Sequence, residues 1–270
     1  MRALAVMLAL AMPATAQDNS SLDRLDTRDD LRGWEAVGRV DIADGGFCTG
    51  TLIAPDLVLT AAHCVVEQGG TAVDAARITF RAGYADGASI VEARVRRTVA
   101  AEGFSGQEPA PVEEMLSDVA LLQLAEPIPT SLISPFTVAL PDRGDEVSVV
   151  SYAQGREEAL SLQRVCQVLG QEGGFIAVDC DVTYGSSGAP VLDRSGYRAK
   201  IVSIISFGYR EGDRPVAFGM MLPAQVDALK ARLRAGRVTS EAAGSLPQTG
   251  VKRITLGGGK DETGARFVKP

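Results

Sequence analysis

Histidine is almost missing from this 270-residue sequence: His63 is the only one. Chemistry that needs two imidazoles is thereby excluded, a multi-histidine zinc site included. Aromatic residues are also sparse, at 5% with a single tryptophan. Basic residues do not predominate, since 27 Lys and Arg face 34 Asp and Glu for a net charge of −7. A basic phosphate-binding face, and with it a nucleic-acid partner, is therefore not expected. Beyond residue 16 no stretch reaches the roughly 18 apolar residues of a transmembrane helix. No period of about 20–50 residues recurs, which excludes a repeat array. What is present is ordinary for a globular chain, with 46% apolar and 23% charged residues. That balance excludes disorder, collagen-like repeats and coiled coil.

The first 16 residues read as an address. Arg2 gives a positive start, Ala3 to Met12 is an unbroken apolar run, and Ala14-Thr15-Ala16 has the small-x-small form of a signal-peptidase site. The expectation is a signal peptide over 1–16, a mature chain from Gln17, and a secreted or periplasmic protein with no membrane span once the signal is removed. Export makes the four cysteines readable as disulfides. Four cysteines allow three pairings, but Cys48 and Cys64 form one local couple and Cys166 and Cys180 another. A four-cysteine zinc site would want C-x-x-C pairs, and there are none. Two disulfides, 48–64 and 166–180, are expected, each stabilising by roughly 3 kcal/mol in the chain-entropy model. No metal site is expected.

Most of the chain is short β runs between turn residues. Apolar, β-branched segments flanked by Gly, Pro and Asp predict strands over 35–41, 47–53, 57–60, 78–81, 91–99, 119–124, 147–152, 161–169, 175–180, 190–192, 200–206 and 216–221. One helix is clear, over 223–235: Pro223 suits a first turn, and Val226, Leu229 and Leu233 recur on one face. Many short strands without βαβ alternation predict antiparallel barrels or a sandwich. The domain is expected over 17–236. From Arg237 to Pro270 the sequence is poor in apolar residues, with six basic and three acidic residues, and reads as a flexible extension.

Three segments carry chemistry. Leu59-Thr60-Ala61-Ala62-His63-Cys64 runs a strand end into a turn with the only imidazole. Ser117-Asp118-Val119-Ala120-Leu121-Leu122 heads an apolar strand with an aspartate. Tyr184-Gly185-Ser186-Ser187-Gly188-Ala189-Pro190 sets a serine in a glycine-flanked turn. A serine hydroxyl is a poor nucleophile until a base takes its proton. Imidazole is the side chain that titrates near neutral pH unperturbed. A carboxylate on its other nitrogen fixes the tautomer and stabilises the imidazolium. Ser187, His63 and Asp118 fit these roles. Gly185 lets the backbone turn so that the amides of Gly185 and Ser187 point at one spot, an oxyanion hole, and Gly188 keeps the approach uncrowded. Separately, each piece has a plainer reading: a surface histidine, a strand cap, a flexible turn. The order His, Asp, Ser also excludes an α/β-hydrolase, which would present its histidine last.

Those stretches resemble a secreted bacterial trypsin-like serine protease of the chymotrypsin superfamily. The matching blocks are F-C-T-G-T-L-I at 47–53, L-T-A-A-H-C at 59–64, S-D-V-A-L-L at 117–122, G-S-S-G-A-P at 185–190 and I-V-S-I-I-S-F-G at 201–208. They are scattered over residues 34–235. The resemblance implies an all-β fold of two six-stranded antiparallel barrels, divided near 130–145, with a C-terminal helix. The active site would lie between the barrels, with His63 and Asp118 from the first and Ser187 from the second. Ser206, Phe207 and Gly208 would pair with the substrate backbone. It implies a serine endopeptidase acting on protein or peptide substrates, without a cofactor; a non-catalytic binding module on the same fold is the alternative. Oligomeric state is not indicated. Eukaryotic members carry Asp directly before the nucleophile, to receive a cleaved N-terminus; here Ser186 stands there and no Ile-Val-Gly-Gly sequence is present, so the chain resembles the G-x-S-G branch. Glutamate-specific members use a second histidine, which this chain lacks. Asp181, six residues before Ser187, would sit at the base of the specificity pocket and lean the enzyme towards Arg or Lys.

Overall fold

The computed structural model describes residues 22–43, 45–107, 111–140 and 146–243. The expected signal peptide and the end of the C-terminal extension lie outside the described residues. An N-terminal strand β1 (Leu22–Leu25) precedes six strands that form the first half. These are β2 (Val37–Ile42), β3 (Phe47–Ala54), β4 (Leu57–Thr60), β5 (Ile78–Ala82), β6 (Val91–Ala100) and β7 (Ala120–Leu124). They pair antiparallel in the order β6-β5-β2-β3-β4-β7, and β7 pairs back onto β6, so the sheet closes into a barrel. The closing strand divides its labour along its length. Residues Val91 to Arg94 pair with β5, and Val95 to Ala100 pair with β7, with an irregularity in register between Val95 and Arg97. Such a bulge bends a strand, which is what closure needs.

The second half runs β8 (Thr137–Val138), β9 (Glu146–Ser151), β10 (Leu160–Glu172), β11 (Phe175–Val178), β12 (Pro190–Asp193), β13 (Lys200–Ile204), β14 (Phe207–Glu211) and β15 (Arg214–Met220). Their order is β14-β15-β11-β10-β9-β12-β13-β8, with β1 added on β10. This sheet is open, so the expected pair of barrels is corrected to one barrel and one open sheet. The reason lies at the end of β13. Where it nears β15, one backbone bond from Ser206 N–H to the Phe218 carbonyl (2.9 Å) and one from Ser203 Oγ to the Met220 carbonyl (3.0 Å) are made. The chain then turns into β14, and no ladder forms between β13 and β15.

Side chains alternate between the two faces of this sheet, as the two-residue period of a strand requires. Val150, Leu160, Leu162, Leu192 and Ile201 face the barrel and share its core with Val40, Leu52, Val58 and Leu121. Val147, Val149, Val168, Ile176 and Val191 build a second cluster on the opposite face. The halves are also joined by a buried tyrosine: Tyr152 Oη donates to the Tyr84 carbonyl at 2.9 Å. Burial holds that phenol in its neutral form, with a pKa well above the usual range. Both expected disulfides are present, Cys48–Cys64 and Cys166–Cys180.

Among the described residues the α-helices are a single turn, α1 (Val112–Met115), and α2 (Pro223–Arg234), which buries Val226, Leu229 and Leu233. The extension does not begin as a free tail. Thr239 N–H donates to the Thr98 carbonyl at 2.7 Å, and β16 (Ser240–Glu241) pairs antiparallel with β6. Ser240 Oγ accepts from Ala75 N–H at 3.0 Å, and Glu241 pairs with Arg97 at 2.7 Å. Backbone pairing, two side-chain hydroxyls and one ion pair thus hold a segment whose composition alone read as unstructured.

Candidate active site

His63 stands on a short 3-10 turn, Ala62–Cys64, that follows β4 directly. The Cys48–Cys64 bridge fastens that turn to β3. Asp118 lies just ahead of β7, beyond α1, and is buried. The two meet through two bonds: His63 Nδ1 to Asp118 Oδ2 at 2.8 Å, and the His63 backbone N–H to Oδ1 at 2.9 Å. Ser206 Oγ donates to the same Oδ2. Sequence reading gave Ser206 to the substrate backbone and missed this contact; nothing in the pattern Ile204-Ile205-Ser206 signals it.

Desolvation works to raise the Asp118 pKa. The facing imidazole and the donors from His63 and Ser206 outweigh it, and the carboxyl titrates below its ordinary value. For His63 the surroundings push downwards, while the Asp118 charge and hydrogen bond push harder, so its pKa is raised. The imidazole still keeps 38% of its surface exposed. With Nδ1–H turned to the carboxylate, Nε2 is left as the free basic atom.

Both residues line a cleft of about 710 Å³ with Ser187, Ser206, Phe207 and Gly208. Ser187 is partly exposed to it, whereas its neighbour Ser186 is buried, with its hydroxyl towards Ser151 Oγ at 3.5 Å. Among the described residues no hydrogen bond joins Ser187 Oγ to His63; the two share one cleft. Gly185 and Gly188 both have positive φ, +91° and +78°. A Cβ on Gly185 would stand 2.3 Å from the Phe47 ring, and one on Gly188 would stand 2.3 Å from the Thr49 carbonyl oxygen. Gly188→Ala is therefore expected to cost about 1–3 kcal/mol from backbone strain alone. The melting temperature should fall by about 2–4 °C for each kcal/mol; an unchanged melting temperature would contradict this turn geometry.

Asp181 is not on the cleft lining. Its carboxylate pairs with Arg210 Nη1 of β14 at 3.4 Å, and it is Arg210 that lines the cleft. Another acidic residue, not singled out from the sequence, shapes the wall. Glu114 is buried in α1 and accepts from Ser105 N–H (2.7 Å), Ser105 Oγ (2.9 Å) and Gln107 N–H (3.2 Å). Burial disfavours its charge, but these donors prevail and lower its pKa.

A paired His and Asp beside a serine on a glycine turn, set between a β-barrel and a second sheet, define a trypsin-like domain. Residues 48–198 match the family model of the trypsin-like peptidase domain. The chain belongs to that family. It is 33% identical over 117 residues to a modular serine protease of Drosophila melanogaster, covering 40% of this chain and 18% of that one. It is 29% identical over 186 residues to a trypsin-like protease of Streptomyces glaucescens, covering 60% of this chain and 65% of that one. The chain thus spans less than two thirds of either relative. Among solved structures it resembles a Glu endopeptidase in complex with MPD, with a TM-score of 0.64 at 17% identity, covering 82% of this chain and 98% of that one.

Proposed function

We propose that this chain is an exported serine endopeptidase that cleaves protein or peptide substrates through an acyl-enzyme. The observation that carries the reading is the His63–Asp118 pair, bonded at 2.8 and 2.9 Å, in the same cleft as Ser187. His63 Nε2 takes the proton of Ser187 Oγ as that oxygen attacks the substrate carbonyl, then returns it to the leaving amine. Asp118 holds the imidazole in its productive tautomer and stabilises the cation formed on the way. The N–H groups of Gly185 and Ser187 receive the oxyanion. Ser206 and Gly208 offer backbone groups to an extended substrate, with Phe207 beneath it. All of this is side-chain and backbone chemistry and calls on no cofactor. Export is supported by the Ala14-Thr15-Ala16 site and by two disulfides, which persist in oxidising compartments.

A fluorophosphonate probe tests the reading on the mature protein recovered outside the cytoplasm, with Gln17 at its N-terminus. The expected result is stoichiometric modification of Ser187 that disappears in His63→Ala. Folded protein that resists the probe would instead favour a binding module built on the same fold.

A further inference from the structure

The turn that carries Ser187 is held from the other half of the molecule, and its bonds fix which way its peptide groups face. A peptide unit is planar and trans, so its N–H points opposite to its own C=O. The Tyr184 carbonyl accepts from Gln154 N–H at 2.7 Å, and the Ser186 carbonyl accepts from Ala189 N–H at 2.9 Å. The N–H groups at the far ends of those two units belong to Gly185 and Ser187. Among the described residues neither donates to a protein atom, whereas Ser186 and Gly188 N–H are taken by the Thr183 and Ile205 carbonyls.

Between these two units lies a third, whose carbonyl, that of Gly185, accepts from Thr49 Oγ1 at 2.9 Å. The same hydroxyl receives Tyr152 N–H at 3.0 Å, two residues before Gln154. Thr49 also gives its own N–H to the Ser187 carbonyl at 2.9 Å. One fully buried residue of the barrel therefore grips the turn on both sides of Ser186, by its hydroxyl at Gly185 and by its backbone N–H at Ser187, and its hydroxyl steadies the segment that holds Tyr184. Thr49 follows Cys48, whose bridge to Cys64 reaches the neighbour of His63.

We propose that Thr49 is a positioning residue for catalysis: its hydroxyl locks the 184–187 peptides so that the two unused N–H groups face the reacting carbonyl, in fixed relation to His63. This rests on the reading of Ser187 as the nucleophile. A threonine that merely satisfied its own hydroxyl would affect stability alone.

The test measures kcat and KM on a peptide amide with the mature protein. Thr49→Val keeps the shape and removes the hydroxyl. It should lower kcat by about tenfold to a hundredfold, below the roughly 10²–10³-fold effect of deleting an oxyanion donor, because the donors are tilted and not lost. KM should stay within about twofold, since the interaction matters in the transition state. Thr49→Ser, which restores the hydroxyl, should bring kcat back to within about threefold of wild type. Ser148→Ala is the control: it removes another buried hydroxyl, bonded to the Arg164 carbonyl at 2.6 Å, and should leave kcat per folded molecule unchanged. If Thr49→Val does not fold, Gln154→Pro removes the exposed residue's N–H that holds the Tyr184 carbonyl, and should lower kcat in the same way. Wild-type kcat in folded Thr49→Val, equal effects of Thr49→Val and Ser148→Ala, a change confined to KM, or wild-type kcat in Gln154→Pro each overturn the inference and leave the nucleophile standing. Absence of hydrolysis by the wild-type protein overturns both.

Discussion

Ser187→Ala should lower peptide hydrolysis by about 10⁴-fold or more, because it removes the oxygen that His63 is proposed to activate. What survives is the modest acceleration from binding and oxyanion stabilisation. Ser186→Ala makes the informative partner. The Ser186 hydroxyl is buried and turned towards Ser151 and the Thr183 N–H, away from the cleft. That variant should keep most of the activity while losing some stability. Steady-state kinetics on both proteins, each confirmed to be folded, distinguishes the two serines of the G-S-S-G turn. Full activity in Ser187→Ala would remove the nucleophile from the proposed mechanism.

Asp118→Asn should be almost as damaging, with kcat reduced by about 10⁴-fold at neutral pH. The amide can still occupy the site, but it can present N–H where Nδ1–H needs an acceptor, which favours the wrong tautomer of His63. The pH profile should move as well. His63 must be neutral to act as base, and its pKa is raised against the opposing effect of its surroundings by Asp118. Wild-type activity should therefore appear as pH rises through a value above the ordinary 6.5 of histidine. Asp118→Asn removes the charge that raises it, so the residual activity should begin at lower pH. An acid limb unmoved by the substitution would contradict the coupling. Stability follows the opposite pattern for the two partners. The Asp118 carboxyl, lowered in the fold, contributes above its unfolded pKa and that contribution is lost on acidification. The raised His63 contributes below its unfolded pKa, and its share fades as pH climbs through the folded value.

Much of the fold was legible because its strands are apolar and β-branched. Each of the twelve segments expected from the sequence overlaps an observed strand, with ends displaced by a few residues. The four strands missed are instructive. β1, β8 and β16 are four, two and two residues long, too short to show alternation. β14 is an exposed edge hairpin in which Gly208, Tyr209, Arg210 and Glu211 all face water, so no buried face marks it. Missing β14 also hid the partner of Asp181, since Arg210 lies on that strand. Closure was not legible at all. Periodicity tells which face of a strand is buried, but whether the last strand meets the first depends on register and bend, and here the second sheet stays open.

The candidate site was more readable than the fold around it. Leu59-Thr60-Ala61-Ala62-His63-Cys64 names a histidine, its bridge and its strand within six residues, and the single imidazole left no competitor. What stayed hidden were groups whose roles depend on approach from elsewhere. Ser206 reaches Asp118 across 88 positions of chain, and Thr49 reaches Gly185 across 136. Neither residue type is unusual where it stands.

The return of residues 232–242 to the barrel has a consequence for the order in which the chain can fold. β16 lies on β6 at Arg97 and Thr98, and Arg232 of α2 bonds the Ala100 carbonyl at 2.6 Å. The first half of the chain is thus finished by residues made after the whole second half. The segment up to β7 holds every strand of the barrel, yet by itself it lacks the clasp on β6. Contacts so distant in sequence are slow to form because the intervening loop must close first. The two halves are therefore expected to fold as one unit, with the cleft between them completed late.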